Sequence, residues 1–515
     1  MNNQAGKKPR SSFSALETAW ADAGAFVAGS SLPFAFSPFE LFPLAVVAPA
    51  LLFLVWQAVS PGRAAFRGFL FGLGMFGVGV SWVYVSMHHY GNMPAPLAGF
   101  AVLLFVAGLS IYPALVGWVQ GRFFPNPGAW HYILVIPALW VLSEWTRGWF
   151  LSGFPWLHLG YSQVATPLAG YAPWLGVYGV SFFCAVSAGL LAGGLRAPAI
   201  FFRRLFPAFV LIWIVGWIAE QAEWVRPVDG PLRASLIQAN VPLGSKWKPD
   251  SRRDIMERYM TLSAEAPRSD LIVWPESAIP AYLDEIDSGY LDNLRRAGRT
   301  ADVDYLIGVV ERDRDKRRYY NAVISIGPSP GLYRKRHLVP FGEYPPLDPL
   351  FRWLMRNLQI PMSDFSPGPP VQPPLSAAGQ PIGVSVCYED AFGEEVIRSL
   401  PQASLLVNVS EDAWFGDSIA PHQRLQMARM RALETGRPML RAANTGPSAV
   451  IDHRGVVVAR STQFQVQVLS AQVQPMQGVT PYISYGNWPV VVLLALVAGS
   501  AFWRSRTYRR RSNIR

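Results

Sequence analysis

Residues 382–390 read IGVSVCYED: an apolar run that stops at Cys387 and turns at once into Tyr388, Glu389 and Asp390. A strand that ends on a thiol presents that side chain and the next backbone N–H groups to a cleft, which suits a nucleophile with its own oxyanion hole. A free cysteine is also a small buried hydrophobe, so its surroundings must decide. On either side, short apolar runs recur at intervals: RASLIQAN at 233–240, DLIVWPES at 270–277, DYLIGVVE at 304–311, NAVISIG at 321–327, SLLVNVS at 404–410, SAVID at 448–452 and FQVQVLSAQV at 464–473. Amphipathic stretches separate them. One of these, Pro421 to Glu434, predicts a helix with Leu425, Ala428 and Leu433 near one face and Gly436 as its stop. This alternation of strand and helix predicts an α/β sandwich.

Outside that region the sequence changes character. Apolar residues make up 51% of the 515 and charged ones only 15%, with a mean hydropathy of +0.20, a balance unlike that of a soluble enzyme. A chain this long also exceeds one ordinary domain. Crossing a bilayer takes about 20 largely apolar residues, because backbone groups in hydrocarbon must be satisfied within a helix. Ala15 to Phe34, Leu41 to Ser60, Ala65 to Met87, Leu97 to Gln120, His131 to Trp149, Trp174 to Leu195, Leu205 to Ile218 and Trp488 to Trp503 meet that demand. The first is the weakest, with Glu17 and Asp22 near its start, and is read as a retained helix and not a cleaved leader. Eight spans with the N-terminus inside put Lys7, Lys8, Arg10, Arg63, Arg67, Arg122, Arg196, Arg203, Arg204 and the tail from Arg504 to Arg515 on the cytoplasmic side. The segment from Glu220 to Tyr485 then lies outside the cytoplasm. The expected organisation is a membrane domain of seven helices over 1–222, an extracytoplasmic α/β domain over 223–484, and a last span with a basic tail over 485–515. The net charge of +11 follows this membrane topology and does not argue for a nucleic-acid partner.

Two cysteines, Cys184 and Cys387, imply no disulfide framework. No zinc spacing, phosphate-binding loop or dinucleotide fingerprint occurs, so neither a cofactor nor a metal is expected. The chemistry must come from side chains. Glu276, in VWPESAIP at 273–280, follows an apolar strand that carries its carboxylate to a sheet edge. Lys335 lies in LYRKRHLVPFGEYPP at 332–346, with Glu343 a few residues on. Taken singly, these are ordinary loop residues. Taken with Cys387 they form an acyl-transfer set: a free thiol has a pKa of about 8.5, a carboxylate can accept its proton, and an ammonium stabilises both thiolate and oxyanion.

WPES, YRKRHLVPFGEY and VCYED, in that order, resemble the three catalytic motifs of the nitrilase, or carbon–nitrogen hydrolase, superfamily. The resemblance implies an αββα sandwich, with Glu276 as general base, Lys335 as oxyanion and charge stabiliser, and Cys387 as acylated nucleophile. It further implies that Glu343 orients the lysine and that the Tyr388 backbone N–H lines the oxyanion hole. The whole chain is similar to the apolipoprotein N-acyltransferase family, through SEWTRGWFLSGFPWLHLGYSQ at 143–163, NVSEDAWFGDS at 408–418 and RAANTGPSAVID at 441–452. That likeness implies two half-reactions: Cys387 takes an acyl chain from a membrane phospholipid, expected to be phosphatidylethanolamine, and the α-amine of a diacylglyceryl-cysteine at a lipoprotein N-terminus receives it. It also implies a bacterial inner membrane, with the catalytic domain on the periplasmic side.

Weaker expectations attach to other residues. Trp247, in GSKWKPD at 244–250, resembles an aromatic near the family's active site; Tyr388 and Glu389 are candidates for shaping substrate access. Trp414 either lines an acyl pocket or anchors its own loop. Glu144 and Arg147, one helical turn apart, are placed to pair as a structural clasp or to meet a headgroup. His88 and His89 read as interfacial residues and not as metal ligands. FRWLMRNLQI at 351–360, between Pro-rich stretches, is expected to form a mobile or membrane-touching lid, the alternative being a buried connecting helix. Two other functions fit parts of the pattern: a membrane-tethered amidase or nitrilase in which water resolves the thioester, and a non-catalytic receptor or transporter with a nitrilase-like domain.

Overall fold

The computed structural model describes residues 15–124, 130–196, 199, 201–346 and 364–512. The expected lid at 351–360 lies outside them. Fourteen strands occur among the described residues: β1 Val225–Pro227, β2 Leu232–Gln238, β3 Leu271–Trp274, β4 Asp304–Asp313, β5 Arg318–Ile326, β6 Gly331–Arg334, β7 Leu375–Ala377, β8 Gln380–Val386, β9 Leu405–Ser410, β10 Met439–Ala443, β11 Ala449–Ile451, β12 Val457–Arg460, β13 Gln467–Val473 and β14 Met476–Gly478. Twelve of them form two six-stranded sheets, ordered β13-β2-β3-β4-β5-β6 and β12-β11-β10-β9-β8-β7. In each sheet the central pairs are parallel and the edges antiparallel.

The strands are apolar because they are covered on both faces. Between the sheets, Leu236, Val273, Leu306 and Val323 meet Val384, Val407, Leu440 and Val450. Burying each such side chain contributes roughly 1.5–3 kcal/mol, so this seam dominates the stability of the sandwich. The outer face of the first sheet is covered by helices Pro249–Glu265 and Ser288–Ala301, through Ile255, Tyr259 and Leu294. Helix Ala420–Thr435 covers the second sheet. The layer order is therefore αββα, as the motifs implied.

Helix Ala420–Thr435 corrects the sequence reading in one respect. Leu425 and Ala428 pack on the sheet together with Ala432, whereas Leu433 joins Met427 and Met430 against the apolar helices of the N-terminal half. The helix is buried on both sides and so has no single apolar face for periodicity to reveal. It ends where expected, at Gly436, whose φ of 61° is left-handed and open to glycine at little cost.

The N-terminal half is helical. Among the described residues, three helices are long and apolar enough to cross a bilayer: Ala95–Phe123, Pro167–Arg196 and Trp488–Thr507; Pro61–Gly79 with Trp82–Tyr90, bent by 53°, makes a fourth. Eight such helices are thus not seen by length alone. Leu44–Val55 is apolar but shorter, and two further stretches are interrupted in their geometry: one-turn π segments at His131–Val135 and Phe201–Leu205 lead into Ile136–Arg147 and Phe206–Ala219. Their backbone nevertheless stays helical over 131–147 and 201–219. Leu103, Leu104, Ile111 and Leu115 on one helix, Leu211, Ile214, Trp217 and Ile218 on another, and Leu493 and Leu496 on the last are all exposed. So much outward-facing apolar surface is what lipid, and not water, covers.

Candidate active site

Each sheet brings one end of its central strands to the same region. β3 ends at Trp274 and the chain turns through Pro275 to Glu276, with Ser277 at φ 48°. The neighbouring strand must be bare there: a Cβ on Gly308 would stand 2.2 Å from the Pro275 carbonyl oxygen and 2.7 Å from the Glu276 Cα. β8 ends at Val386, and Cys387 follows at φ 51°, starting a 3-10 turn over Cys387–Ala391. The first N–H groups of such a turn have no acceptor within it and face outward.

Glu276 is buried, 6% exposed, and both of its oxygens are held: Oε1 accepts from Asn321 Nδ2 at 2.6 Å and Oε2 from the Glu411 N–H at 2.7 Å. Lys335, 1% exposed, donates to Glu343 at 2.7 Å. Glu343 also accepts from Asn321 Nδ2 at 3.1 Å and from the Val339 N–H at 2.8 Å. Asn321, in β5, therefore ties the two carboxylates together. Lys246 supplies a second buried ammonium, donating to the Glu276 carbonyl at 3.1 Å and to Glu411 at 2.5 Å.

The thiol stands in a mixed field. Burial pushes Cys387 up to about 12, and the Glu276 charge adds to this, while Arg424 and Lys335 pull the other way. Burial also raises Glu276, with Lys335 opposing and Glu343 reinforcing the shift. Burial alone would depress Lys335, but Glu343, Cys387 and Glu276 together outweigh it and hold the ammonium above the usual lysine value. A protonated thiol beside a carboxylate of raised basicity and a fixed ammonium can pass its proton to the carboxylate as it attacks a carbonyl, with cationic charge ready for the oxyanion.

Arg424 escaped the sequence reading. From helix Ala420–Thr435 its Nη1 reaches Cys387 Sγ at 3.5 Å and Asp412 at 2.8 Å, while Nη2 donates to the Cys387 carbonyl at 2.6 Å and to Asp390 at 3.1 Å. Asp412 is shared with Arg441 of β10, at 2.6 Å. Burial would raise the Asp412 carboxyl, yet the two guanidinium groups hold it below its usual range. Asp412 and Arg441 sit inside stretches the sequence marked as family-like; Arg424 lay in a predicted helix read only through Leu425, Ala428, Leu433 and its stop at Gly436.

The remaining candidates divide. Glu389 is 1% exposed and fully engaged, accepting from the N–H groups of Arg336, His337 and Val386 and from the Tyr333 hydroxyl at 2.7–3.2 Å. It clamps the lysine loop to the nucleophile strand, and burial raises it. The Tyr388 hydroxyl donates to the Gly153 carbonyl at 2.9 Å, and its ring packs on Trp156 and Phe392. The nucleophile's own turn is thus fastened to the helical half. The Trp414 carbonyl accepts from Ser86 at 2.8 Å and its ring meets Tyr90, which anchors its loop. Trp247 is 38% exposed and directly follows Lys246. Glu144 and Arg147 form no ion pair with each other: Glu144 accepts from Trp140 and the Leu159 N–H, and Arg147 donates to the Phe154 and Trp156 carbonyls. They pin the loop after their helix, which replaces the expected clasp. No cluster able to hold a metal occurs among the described residues.

With that geometry in place, the comparisons are direct. Residues 28–190 match the apolipoprotein N-acyltransferase N-terminal domain, and residues 233–482 match the carbon-nitrogen hydrolase family. The apolipoprotein N-acyltransferase of Methylococcus capsulatus is 46% identical over 484 residues, covering 94% of this chain and 96% of that one. That of Nitrosomonas europaea is 47% identical over 482 residues, covering 92% and 96%, and that of Vibrio cholerae 41% over 500 residues, covering 95% and 97%. A helical N-terminal half and a sandwich carrying the nitrilase motifs, both matched over nearly their full length, have one reading: the chain belongs to the apolipoprotein N-acyltransferase family, a membrane acyltransferase branch of the carbon-nitrogen hydrolase superfamily.

Proposed function

We propose that this protein moves a fatty acyl chain from a membrane phospholipid, through a thioester on Cys387, to the N-terminal amine of an apolipoprotein. Cys387 Sγ attacks the ester carbonyl carbon while Glu276 takes the thiol proton; the ester C–O bond breaks, and Glu276 returns the proton to the leaving lysophospholipid oxygen. The acceptor's neutral α-amine then attacks the thioester, an amide C–N bond forms, the C–S bond breaks, and the amine proton passes by way of Glu276 to the departing sulfur. Lys335, oriented by Glu343, carries the charge that builds on the carbonyl oxygen in both steps. A thioester retains enough reactivity to form an amide without a nucleotide. The observation that carries this reading is the fastening of the nucleophile turn to the apolar helices through Tyr388 and Gly153, which supports an acyl-transfer site that opens beside lipid.

The finer assignments follow from it. Phosphatidylethanolamine is the proposed donor and a diacylglyceryl-cysteine the proposed acceptor. Eight spans are supported by the helical backbone over 131–147 and 201–219 and by the placement of arginine and lysine in alternate loops. The membrane domain covers 1–222, the periplasmic domain 223–484, and the final span and tail 485–515, with both termini in the cytoplasm. The test is mass spectrometry of the purified protein after exposure to phospholipid. A fatty-acyl increment on the Cys387 peptide, released by hydroxylamine and absent from C387A, is expected. Free fatty acid released with no acylated lipopeptide would instead indicate a hydrolase.

A further inference from the structure

After helix Ile136–Arg147 the chain enters a turn in which Leu151, Ser152 and Gly153 have φ of 52°, 72° and 82° in succession. Residues other than glycine enter that region where their surroundings hold them. Here the surroundings are the two catalytic loops. The Gly153 carbonyl accepts from the Tyr388 hydroxyl at 2.9 Å, the Ser152 carbonyl lies 2.9 Å from His337 Nε2, and the Ser152 hydroxyl bonds that of Tyr344. Neighbouring carbonyls of one turn thus locate both the nucleophile's turn and the loop of Lys335.

His337 meets an acceptor at each ring nitrogen. Nδ1 lies 2.8 Å from Glu395 Oε1, and the other Glu395 oxygen is buried with no partner among the described residues. A carbonyl only accepts, so Nε2 must carry hydrogen, and a neutral ring would then turn the Nδ1 lone pair on a carboxylate. Both bonds form together when the pair holds a further proton. Burial would raise the Glu395 carboxyl, but His337, Arg336 and Arg398 outweigh it and hold the group below its usual range, so that proton rests on the ring. The ring stacks on Phe392 with centroids 3.8 Å apart and meets Tyr388 at 5.6 Å, and aromatic faces attract a cation. Glu389, accepting from the His337 N–H at 3.2 Å, adds negative charge. Arg336 and Arg398 oppose a positive ring; Tyr388 and Tyr344 bring only hydroxyls.

We propose that His337, as an imidazolium bridging Glu395 and the Ser152 carbonyl, is a positioning residue: it fixes the Lys335 loop to the same membrane-side turn that holds the Cys387 turn, and one proton sets that docking. Lys335 is two residues away, so release of the ring moves the ammonium relative to the sulfur. Imidazole gains or loses its proton between about pH 5 and pH 8. Below that range the bridge is complete, and as pH rises through it one of the two bonds is lost. Glu395→Gln removes the requirement, because an amide can donate to Nδ1 of the neutral ring while the Nε2–H stays on Ser152.

The test compares full-length wild type, E395Q and H337Q at pH 5.5 and pH 8.5. Backbone amide exchange over 332–345, corrected for the chemical rate at each pH, is expected to be about fivefold slower in the wild type at the lower pH and equal at both in E395Q. H337Q, whose amide reaches Ser152 but carries no titrating proton, should also exchange equally at both, and decides the question if E395Q fails to fold. Dividing the E395Q rate of Cys387 acylation by the wild-type rate cancels the titration of the thiol and of Glu276. That ratio should rise about fivefold from pH 5.5 to pH 8.5, in kcat and not in KM, because Lys335 acts on the oxyanion. Wild-type exchange that is the same at both pH values, or a pH dependence that persists in H337Q, would overturn the proposal, as would a flat E395Q ratio. The turnover arm rests on the reading that phospholipid acylates Cys387. Absence of an acyl mass on the wild-type cysteine would end that reading, while the exchange arm still decides this one.

Discussion

Arg424 offers the sharpest check on how the thiol is activated. Two unit charges 3.5 Å apart, the separation of Nη1 and Sγ, interact by about 5 kcal/mol at an effective dielectric of about 20. Asp412 and Asp390 share the same guanidinium and oppose part of that field, so about 2 kcal/mol of thiolate stabilisation remains, equivalent to roughly 1.5 pH units. Arg424→Gln should therefore slow iodoacetamide alkylation of Cys387 by roughly 30-fold between pH 7 and pH 10. Arg424→Lys should lie between it and the wild type, because one ammonium cannot span the sulfur, the Cys387 carbonyl and two carboxylates. Cys184 is buried among the apolar helices and should stay unlabelled in all variants. Removing a buried cation leaves surplus negative charge, so the double variant D390N/R424Q separates folding from reactivity: its thermal midpoint should recover while alkylation stays slow. Alkylation at the wild-type rate in a folded R424Q protein would refute the argument that this guanidinium stabilises the sulfur.

Other expectations follow from the same geometry. Gly308→Ala inserts a Cβ against the Pro275 carbonyl; an overpacking cost of about 1–3 kcal/mol and a shift of Glu276 should lower kcat at least tenfold, measured alongside thermal unfolding. Glu389→Gln exchanges one acceptor oxygen for an NH₂ group that must face N–H donors, which should cost about 1–3 kcal/mol and loosen the lysine loop, seen as faster amide exchange at Arg336 and His337. Asp412, held below its usual range once Arg441 and Arg424 outweigh burial, contributes stability that is present above the unfolded carboxyl value of about 4 and lost as pH falls through its lower folded value. Unfolding midpoints measured from pH 6 to pH 3 should drop steeply in the wild type and more gently in Asp412→Asn.

What the sequence settled by itself was everything written in local order. Strands such as DYLIGVVE and SLLVNVS are continuous apolar runs because both faces of each sheet are covered, and they appear where expected, as β4 and β9. The three motifs singled out Glu276, Lys335 and Cys387 as candidates, because each sits at the end of a strand or hairpin whose pattern is legible. What tertiary structure alone decided was how distant polar residues pair. Asn321 interrupts the apolar strand β5 and Arg424 sits among the polar positions of a helix that the sequence reads only by its apolar ones, yet both are buried, because a second layer covers each element. Leu433 turned away from Leu425 for the same reason, since that helix packs on two partners at once. Local periodicity records that a residue is buried only when one face is covered; charge pairing between separate elements, which gives Arg424 its place beside a sulfur 37 residues away, leaves no periodic trace and exists only once the chain has closed upon itself.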